Sequence, residues 1–388
     1  MNLDDFKQPA GKLVKAGQGD AAYRAFVPDP LPPRLEWDSD LIQTLSSADR
    51  ALGELAGLGR SLPNPHLLIG PFLRREAVLS SRIEGTEADI TDLYVYEAGQ
   101  LPLPGMKPAS SGSDVQEVLN YVRALEYGLE RLNQLPVSLR LIREVHEKLL
   151  HGVRGGKASP GEFRRSQNWI GAPNCTLNEA AYVPPPVQEM QAALGLLEKY
   201  IHEGREDPPL ARLAFIHYQF EAIHPFIDGN GRIGRLLVAL LLVHWNLLPL
   251  PLLYLSAYFE RQRQEYYDLL MGVSQRCAWR EWLLFFVRGV DEQSRDAIAR
   301  AKKLQDAHSA FRVVLQQNYR SSQTLQVADL LFEEPVISAQ RIVERLGCSH
   351  QSAMQTLRRL EKLEIVKEMT NRQRNRLYYA PVIFGILE

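Results

Sequence analysis

Only three cysteines occur in 388 residues, Cys175, Cys277 and Cys348, far apart and odd in number. They offer neither a closely spaced metal-ligand pair nor a disulfide framework, which points to a reducing compartment. No apolar stretch approaches the roughly 18 residues of a spanning helix; the longest covers 236–243 and its flanks. The opening MNLDDFKQPAGK has no apolar signal core behind a basic start. A formal net charge of -1 gives no global attraction to nucleic acid or membrane, although it leaves room for a local basic patch. These absences predict a soluble, cytoplasmic protein with no membrane partner. What is present is ordinary globular composition, 45% apolar and 23% charged, in a chain long enough for two or three domains.

Periodicity predicts helices near 41–59, 66–85, 86–99, 113–133, 138–151, 187–204, 208–223, 233–247, 256–272 and 278–318. SLPNPH and LPLPGMKPASSGS break the series. Residues 1–36, rich in Pro and Gly, read as an extended arm laid on a later domain. Between 155 and 186, NWIGA and AAYVPPP flank a polar turn and predict a β-hairpin or flap. From about 322, three short helices precede a strand, a basic turn and a strand, the order of a winged helix-turn-helix.

The stretch HPFIDGNGRIGR, 224–235, interrupts the most apolar part of the chain. Gly229, Gly231 and Gly234 match G-x-G-x-x-G, but a helix precedes them and no acid follows at the required distance, so a dinucleotide fold is rejected. The alternative is a phosphate site. Gly229 and Gly231 permit unusual backbone angles and close approach. The helix that starts here points free N–H groups and its positive dipole end into the loop. Arg232 and Arg235 share a helix face and can fork onto phosphate oxygens, and Asn230 adds an amide donor. Asp228 would repel phosphate unless Mg²⁺ bridges them. His224, with an ordinary pKa of about 6.5, can accept a proton from a hydroxyl. Base, metal and clamp together make a phosphoryl- or nucleotidyl-transfer site. Phe226 and Ile227 read as anchors of the loop.

This stretch resembles the signature of the Fic family, H-x-F-x-[DE]-G-N-G-R-x-x-R, at every fixed position. The resemblance implies a mostly helical protein that moves AMP from ATP onto a hydroxyl of a target protein or of itself. It implies His224 as general base and Asp228 as holder of Mg²⁺. Asn230 and the loop amides, from Gly229 through Gly231, Ile233 and Gly234, would bind phosphates, with Arg232 on the β- and Arg235 on the γ-phosphate. Relatives acting as kinases carry lysine where Gly231 sits, so Gly231 favours AMP transfer. Ser80-x-x-x-Glu84-Gly85 is similar to the family's inhibitory element, which would make Glu84 a competitor for Arg235 in the ATP site. In some relatives the same glutamate also supports AMP removal.

The family's flap, whose edge aligns a target backbone by strand addition, would place Tyr182 and Val183 at the docking edge. Tyr266 and Tyr267 would stand near adenine. Family members often pair, so a homodimer is expected. The expected fold is an all-α Fic-type core with a small hairpin flap and a C-terminal winged helix-turn-helix. Its divisions are 1–105 for the arm and inhibitory region, 106–320 for the catalytic core and 321–388 for the winged unit. HEKLLH, with His146 and His151 five apart, lacks the spacing for a helical zinc site. The competing reading is a transcriptional regulator that binds DNA through 321–388. SHQSAMQTLRRLEKL, with Arg358 and Arg359, would be its recognition helix, and Arg372, Arg374 and Arg376 would lie in its wing. Against it, about nine bases meet eight acids there, and Glu361, Glu364 and Glu368 flank the reading surface.

Overall fold

The computed structural model describes residues 1–19, 22–61, 65–98, 112–153, 159–172, 174–204, 206–319, 321–370 and 375–387. Helix α1 (Ser39–Ser61) starts where the Asp38 carboxylate accepts the Leu41 N–H at 2.9 Å. It buries Leu41, Leu45, Ala48, Leu52 and Leu55 at three- and four-residue spacings, one apolar stripe. That stripe lies along α11 (Trp279–Asn318), a helix of 40 residues and about 60 Å.

Two helices make the centre, α7 (Pro209–Ile223) and α8 (Asn230–His244). Nearly every side chain of both is buried, so neither sequence shows a polar face. Around them lie α2 (His66–Ile83), α3 (Ile90–Glu97), α4 (Gly112–Arg131), α5 (Leu139–Leu149), α6 (Val187–Glu203), α9 (Ser256–Arg261) and α10 (Arg263–Arg276). The end of α2 is a left-handed cap: Gly85 sits at φ +95°, its N–H reaches Arg82 O, and the Thr86 N–H reaches Ser81 O. Only glycine adopts that angle without strain, and the two bonds satisfy carbonyls that the helix end would orphan.

The N-terminal arm folds back on itself. β1 (Gly11–Ala16) pairs antiparallel with β2 (Tyr23–Pro28), in register from Gly11↔Pro28 to Ala16↔Tyr23. This hairpin lies on the flap, where the Phe26 N–H donates to Val183 O at 2.9 Å and Phe6 and Phe26 pack with Tyr182. The flap is joined across by one antiparallel bridge, Ile170↔Tyr182.

After α11 come α12 (Ser322–Glu333), β3 (Val336–Ser338), α13 (Ala339–Leu346), α14 (His350–Lys362), β4 (Lys367–Glu368), β5 (Leu377–Tyr379) and α15 (Pro381–Leu387). The strands form an antiparallel sheet of order β3-β5-β4. The expected wing residues Arg372 and Arg374 lie outside the described residues, as does most of the loop LPLPGMKPASSGS. α12 and α15 rest on α2 and α11, and Tyr94 meets Phe384 edge-on at 5.7 Å. The chain is thus mostly helical with small antiparallel sheets. Among the described residues no helix is long and apolar enough to cross a membrane.

Candidate active site

The loop between α7 and α8 turns twice through left-handed backbone, at His224 (φ +48°) and Gly229 (φ +81°). A histidine there is strained, so the surroundings must hold it. Arg164, 2% exposed, does so by donating to three carbonyls: Nε to His224 at 3.0 Å, Nη2 to Pro185 at 2.5 Å and Nη1 to Ser166 at 3.3 Å. With no carboxylate partner among the described residues, burial lowers its pKa to about 10. Asn168 Nδ2 donates to Phe226 O at 2.7 Å and to His224 O at 3.3 Å. From α5, His146 accepts the Gly161 N–H on Nδ1 at 2.9 Å, so its proton sits on Nε2 and reaches Asp228 O at 3.0 Å. Its ring stacks on Phe226 at 3.7 Å, and burial lowers its pKa to about 4. Asn230 closes the loop, accepting the Phe226 N–H and donating to Phe226 O, both at 2.8 Å. Its amide shapes the turn, which leaves backbone N–H groups to meet an anion. α8 has no side-chain cap at its start.

His224 is set up as a base. Nδ1 lies 3.3 Å from Glu221 O and carries the proton, which leaves the Nε2 lone pair available. Burial, helped by Arg164, pushes its pKa down to about 4, so the ring is neutral at pH 7. The Asp228 side chain is 44% exposed; Oδ1 accepts the Gly229 N–H at 2.6 Å.

Arg235 is the most enclosed charge of the site. Its Nε donates to Ser80 Oγ at 2.8 Å, and Nη2 donates to Ser80 O at 2.9 Å and Glu84 Oε1 at 2.6 Å. Burial opposes both charges, yet the pairing prevails: Arg235 is held above its ordinary pKa and Glu84 below. The Glu84 side chain keeps 34% of its surface against 2% for Arg235, so the acid stands at the rim and the base inside. A Cβ at Gly231 would lie 2.3 Å from Glu84 Oε1, so only glycine admits this contact. Arg232 meets Glu117 of α4 at 3.3 Å and Asp228 at 3.6 Å. Arg235 Nη1 and Arg232 Nε are buried donors with no acceptor among the described residues. Beneath them Glu221 Oε1 is likewise unmatched, and burial lifts that carboxyl to about 8.

The structure brings Ser80, Glu84, His224, Asp228, Gly229, Asn230, Gly231, Arg232 and Arg235 into one site, with Ile233 and Gly234 in the buried first turns of α8. Tyr266 is buried, its hydroxyl 2.9 Å from His217 Nε2, whereas Tyr267 is 38% exposed. Tyr182 and Val183 are 4% and 1% exposed; Tyr182 donates to Ala222 O at 2.8 Å. Among the described flap residues the large apolar side chains left exposed are Trp169 and Ile170, both at 42%. Sequence reasoning missed His146, Arg164, Asn168, Glu117 and Glu221. For the first three, the loop contacts span 56 to 82 residues, and no local spacing marks them.

Residues 42–130 match the model of the Fic/DOC family N-terminal region, and residues 136–242 the Fic/DOC family model. The chain is 30% identical over 157 residues to a Drosophila grimshawi protein named Protein adenylyltransferase Fic, covering 40% of this chain and 29% of that one. Its likeness to the protein of that name from Drosophila yakuba is 29% over 242 residues, covering 60% and 44%. The chain thus spans less than half the length of these relatives. A crystal structure of a Fic family protein from Desulfovibrio desulfuricans G20 superposes with a TM-score of 0.57 at 18% identity, over 90% of this chain and 98% of that one.

Proposed function

The chain belongs to the Fic/DOC family, and on that premise we propose that it is a protein adenylyltransferase. It moves AMP from ATP to a Tyr, Thr or Ser hydroxyl, of a partner protein or of itself, and releases diphosphate. The observation that carries this reading is a neutral His224 with its Nε2 free, beside the uncapped start of α8 and two buried arginines. His224 Nε2 takes the proton of the incoming hydroxyl, whose oxygen bonds to the α-phosphorus. The bond from that phosphorus to the bridging oxygen breaks, and diphosphate leaves. The Asn230 and Gly231 N–H groups at the uncapped start of α8 face the phosphates, with Arg232 on the β- and Arg235 on the γ-phosphate. The Gly229 and Ile233 N–H groups, bonded to Asp228 Oδ1 and Gly229 O, shape the loop instead, as does Gly234 within the first turns of the helix. Tyr267, backed by Tyr266, lies by the adenine.

Asp228 fits a magnesium ion, because its carboxylate is half open and Mg²⁺ is ordinarily held by one or two carboxylates together with substrate phosphates. Bound there, the ion supplies charge neutralisation to the phosphates. Glu84, with Ser80 gripping the same guanidinium, keeps Arg235 from the γ-phosphate and inhibits transfer; by orienting a water it also serves AMP removal. The flap receives the target, a homodimer is the expected assembly, and the cytoplasm is the expected location. Mass spectrometry of the protein after incubation with Mg-ATP tests the reading. Glu84→Gly should gain one AMP and Glu84→Gly/His224→Ala none; equal gain by both overturns it.

A further inference from the structure

We propose that residues 321–387 form a winged helix-turn-helix whose α14 reads duplex DNA from the major groove through Gln351, Gln355, Arg358 and Lys362. This stands apart from adenylyl transfer, whose residues lie at 80–84 and 224–235.

The backbone supplies the frame. α13 stops at Gly347, φ +65°, whose N–H bonds to Val343 O. Two residues later the Ser349 hydroxyl accepts the Ser352 N–H at 3.2 Å and starts α14. A three-residue, glycine-containing turn between two helices, followed by a paired β4 and β5, is the arrangement that presents its second helix to a groove.

The free face of α14 has the chemistry for bases. Positions 351, 355, 358 and 362 fall at four-, three- and four-residue steps, so they form one stripe. All four side chains are exposed, while Ala353, Thr356, Leu357 and Leu360 are buried on the other side. Glutamine pairs two-pronged with adenine N6 and N7, and arginine with guanine O6 and N7. The stripe holds no carboxylate and no large apolar side chain, which disfavours a protein partner needing an aromatic or aliphatic anchor. RNA duplexes are excluded by geometry, because their major groove is too narrow for a helix.

Several acids of the unit are engaged in ion pairs, while Glu361 and Glu364 flank the stripe without belonging to it. Glu334 holds Arg341 at 2.7 Å and Arg345 at 3.4 Å, and Glu333 holds Arg345 at 2.5 Å. Asp329 holds Arg312 at 2.8 Å, and Glu368 holds Arg376 at 3.2 Å. The Arg359 guanidinium lies over the Tyr319 ring at 5.2 Å. Among the described residues no carboxylate forms an ion pair with Arg358 or Lys362, so the stripe presents net positive charge to a polyanion.

The test is fluorescence anisotropy of the full chain with a labelled random-sequence DNA duplex, across a salt series. Binding should weaken with salt, and Arg358→Ala/Lys362→Ala should cut the log–log salt slope by about two and affinity about tenfold or more. Gln351→Ala/Gln355→Ala should bind random duplex as the unaltered chain does, yet lose about tenfold or more of the preference for sequences enriched by selection. All four positions are exposed, so unchanged thermal melting certifies the fold. No duplex binding at low salt, equal binding of duplex RNA, or binding unaltered by Arg358→Ala/Lys362→Ala each overturns the proposal. Self-modification by Glu84→Gly, measured on the same preparations, shows separately whether the transferase reading stands.

Discussion

Replacing Glu84 by glycine removes the carboxylate that meets Arg235 Nη2 at 2.6 Å. Charges whose centres lie about 4 Å apart interact by about 4 kcal/mol at an effective dielectric of about 20. The Glu84 side chain is 34% exposed. Water at the rim therefore reduces the hold to about 2 kcal/mol. At 1.36 kcal/mol per tenfold in rate, freeing the guanidinium raises AMP transfer about 30-fold. Stability suffers less, because Arg235 keeps both bonds to Ser80. A loss of about 1 kcal/mol lowers Tm by a few degrees at most. The assay is the initial rate of labelled AMP incorporation at saturating Mg-ATP for wild type, Glu84→Gln and Glu84→Gly. Glutamine keeps an acceptor without the charge, so its rate should fall between the other two. Equal rates for wild type and Glu84→Gly would refute the idea that this pair restrains the site. A full gain in Glu84→Gln would locate the restraint in charge alone.

Burial lifts the Glu221 carboxyl to about 8, so the folded chain holds a proton that the unfolded chain releases above about pH 4.5. Stability from this group is complete at low pH and is lost as pH rises through 8; melts of Glu221→Gln should match wild type in acid and exceed it in alkali, and parallel curves would contradict this. With His224 held down to about 4, kcat/KM of Glu84→Gly should show no imidazole limb near pH 6.5, and a midpoint there would mean the ring is not desolvated. Gly85→Ala forces a side chain into φ +95°, so calorimetry should record a loss of about 1 kcal/mol or more, with AMP transfer rising as the end of α2 loosens. Arg164→Met should abolish transfer while Mg-ATP binding, read by calorimetry, persists, because the carbonyl of His224 loses its anchor.

The loop was legible because its information is local: glycines, arginines and the start of α8 follow one another within twelve positions. Ser80 and Glu84 were legible for the same reason, being one turn apart. Glu221 stands only three positions from His224, yet nothing in FEAIHPF separates it from an ordinary helical acid; its burial against Gly234 is a tertiary fact. Arg164 and His146 were hidden because each acts on carbonyls, which every residue carries, and no pattern shows which carbonyl a distant side chain will meet. The arm at 1–36 showed its Pro and Gly but not its pairing, since β1 and β2 carry mixed polar and apolar residues and draw their partner from the flap. Val183 is covered for that reason: Phe26 occupies its carbonyl.

Among the described side chains of α2 only Arg82 is exposed, because α4, α9 and α12 enclose the rest of the rod. Such a rod does not slide or tilt without dislodging three neighbours at once. Under the proposed restraint, release of the guanidinium therefore falls to rotation of the Glu84 side chain about its own bonds. On that reading, an incoming nucleotide has a side chain to displace and not a helix.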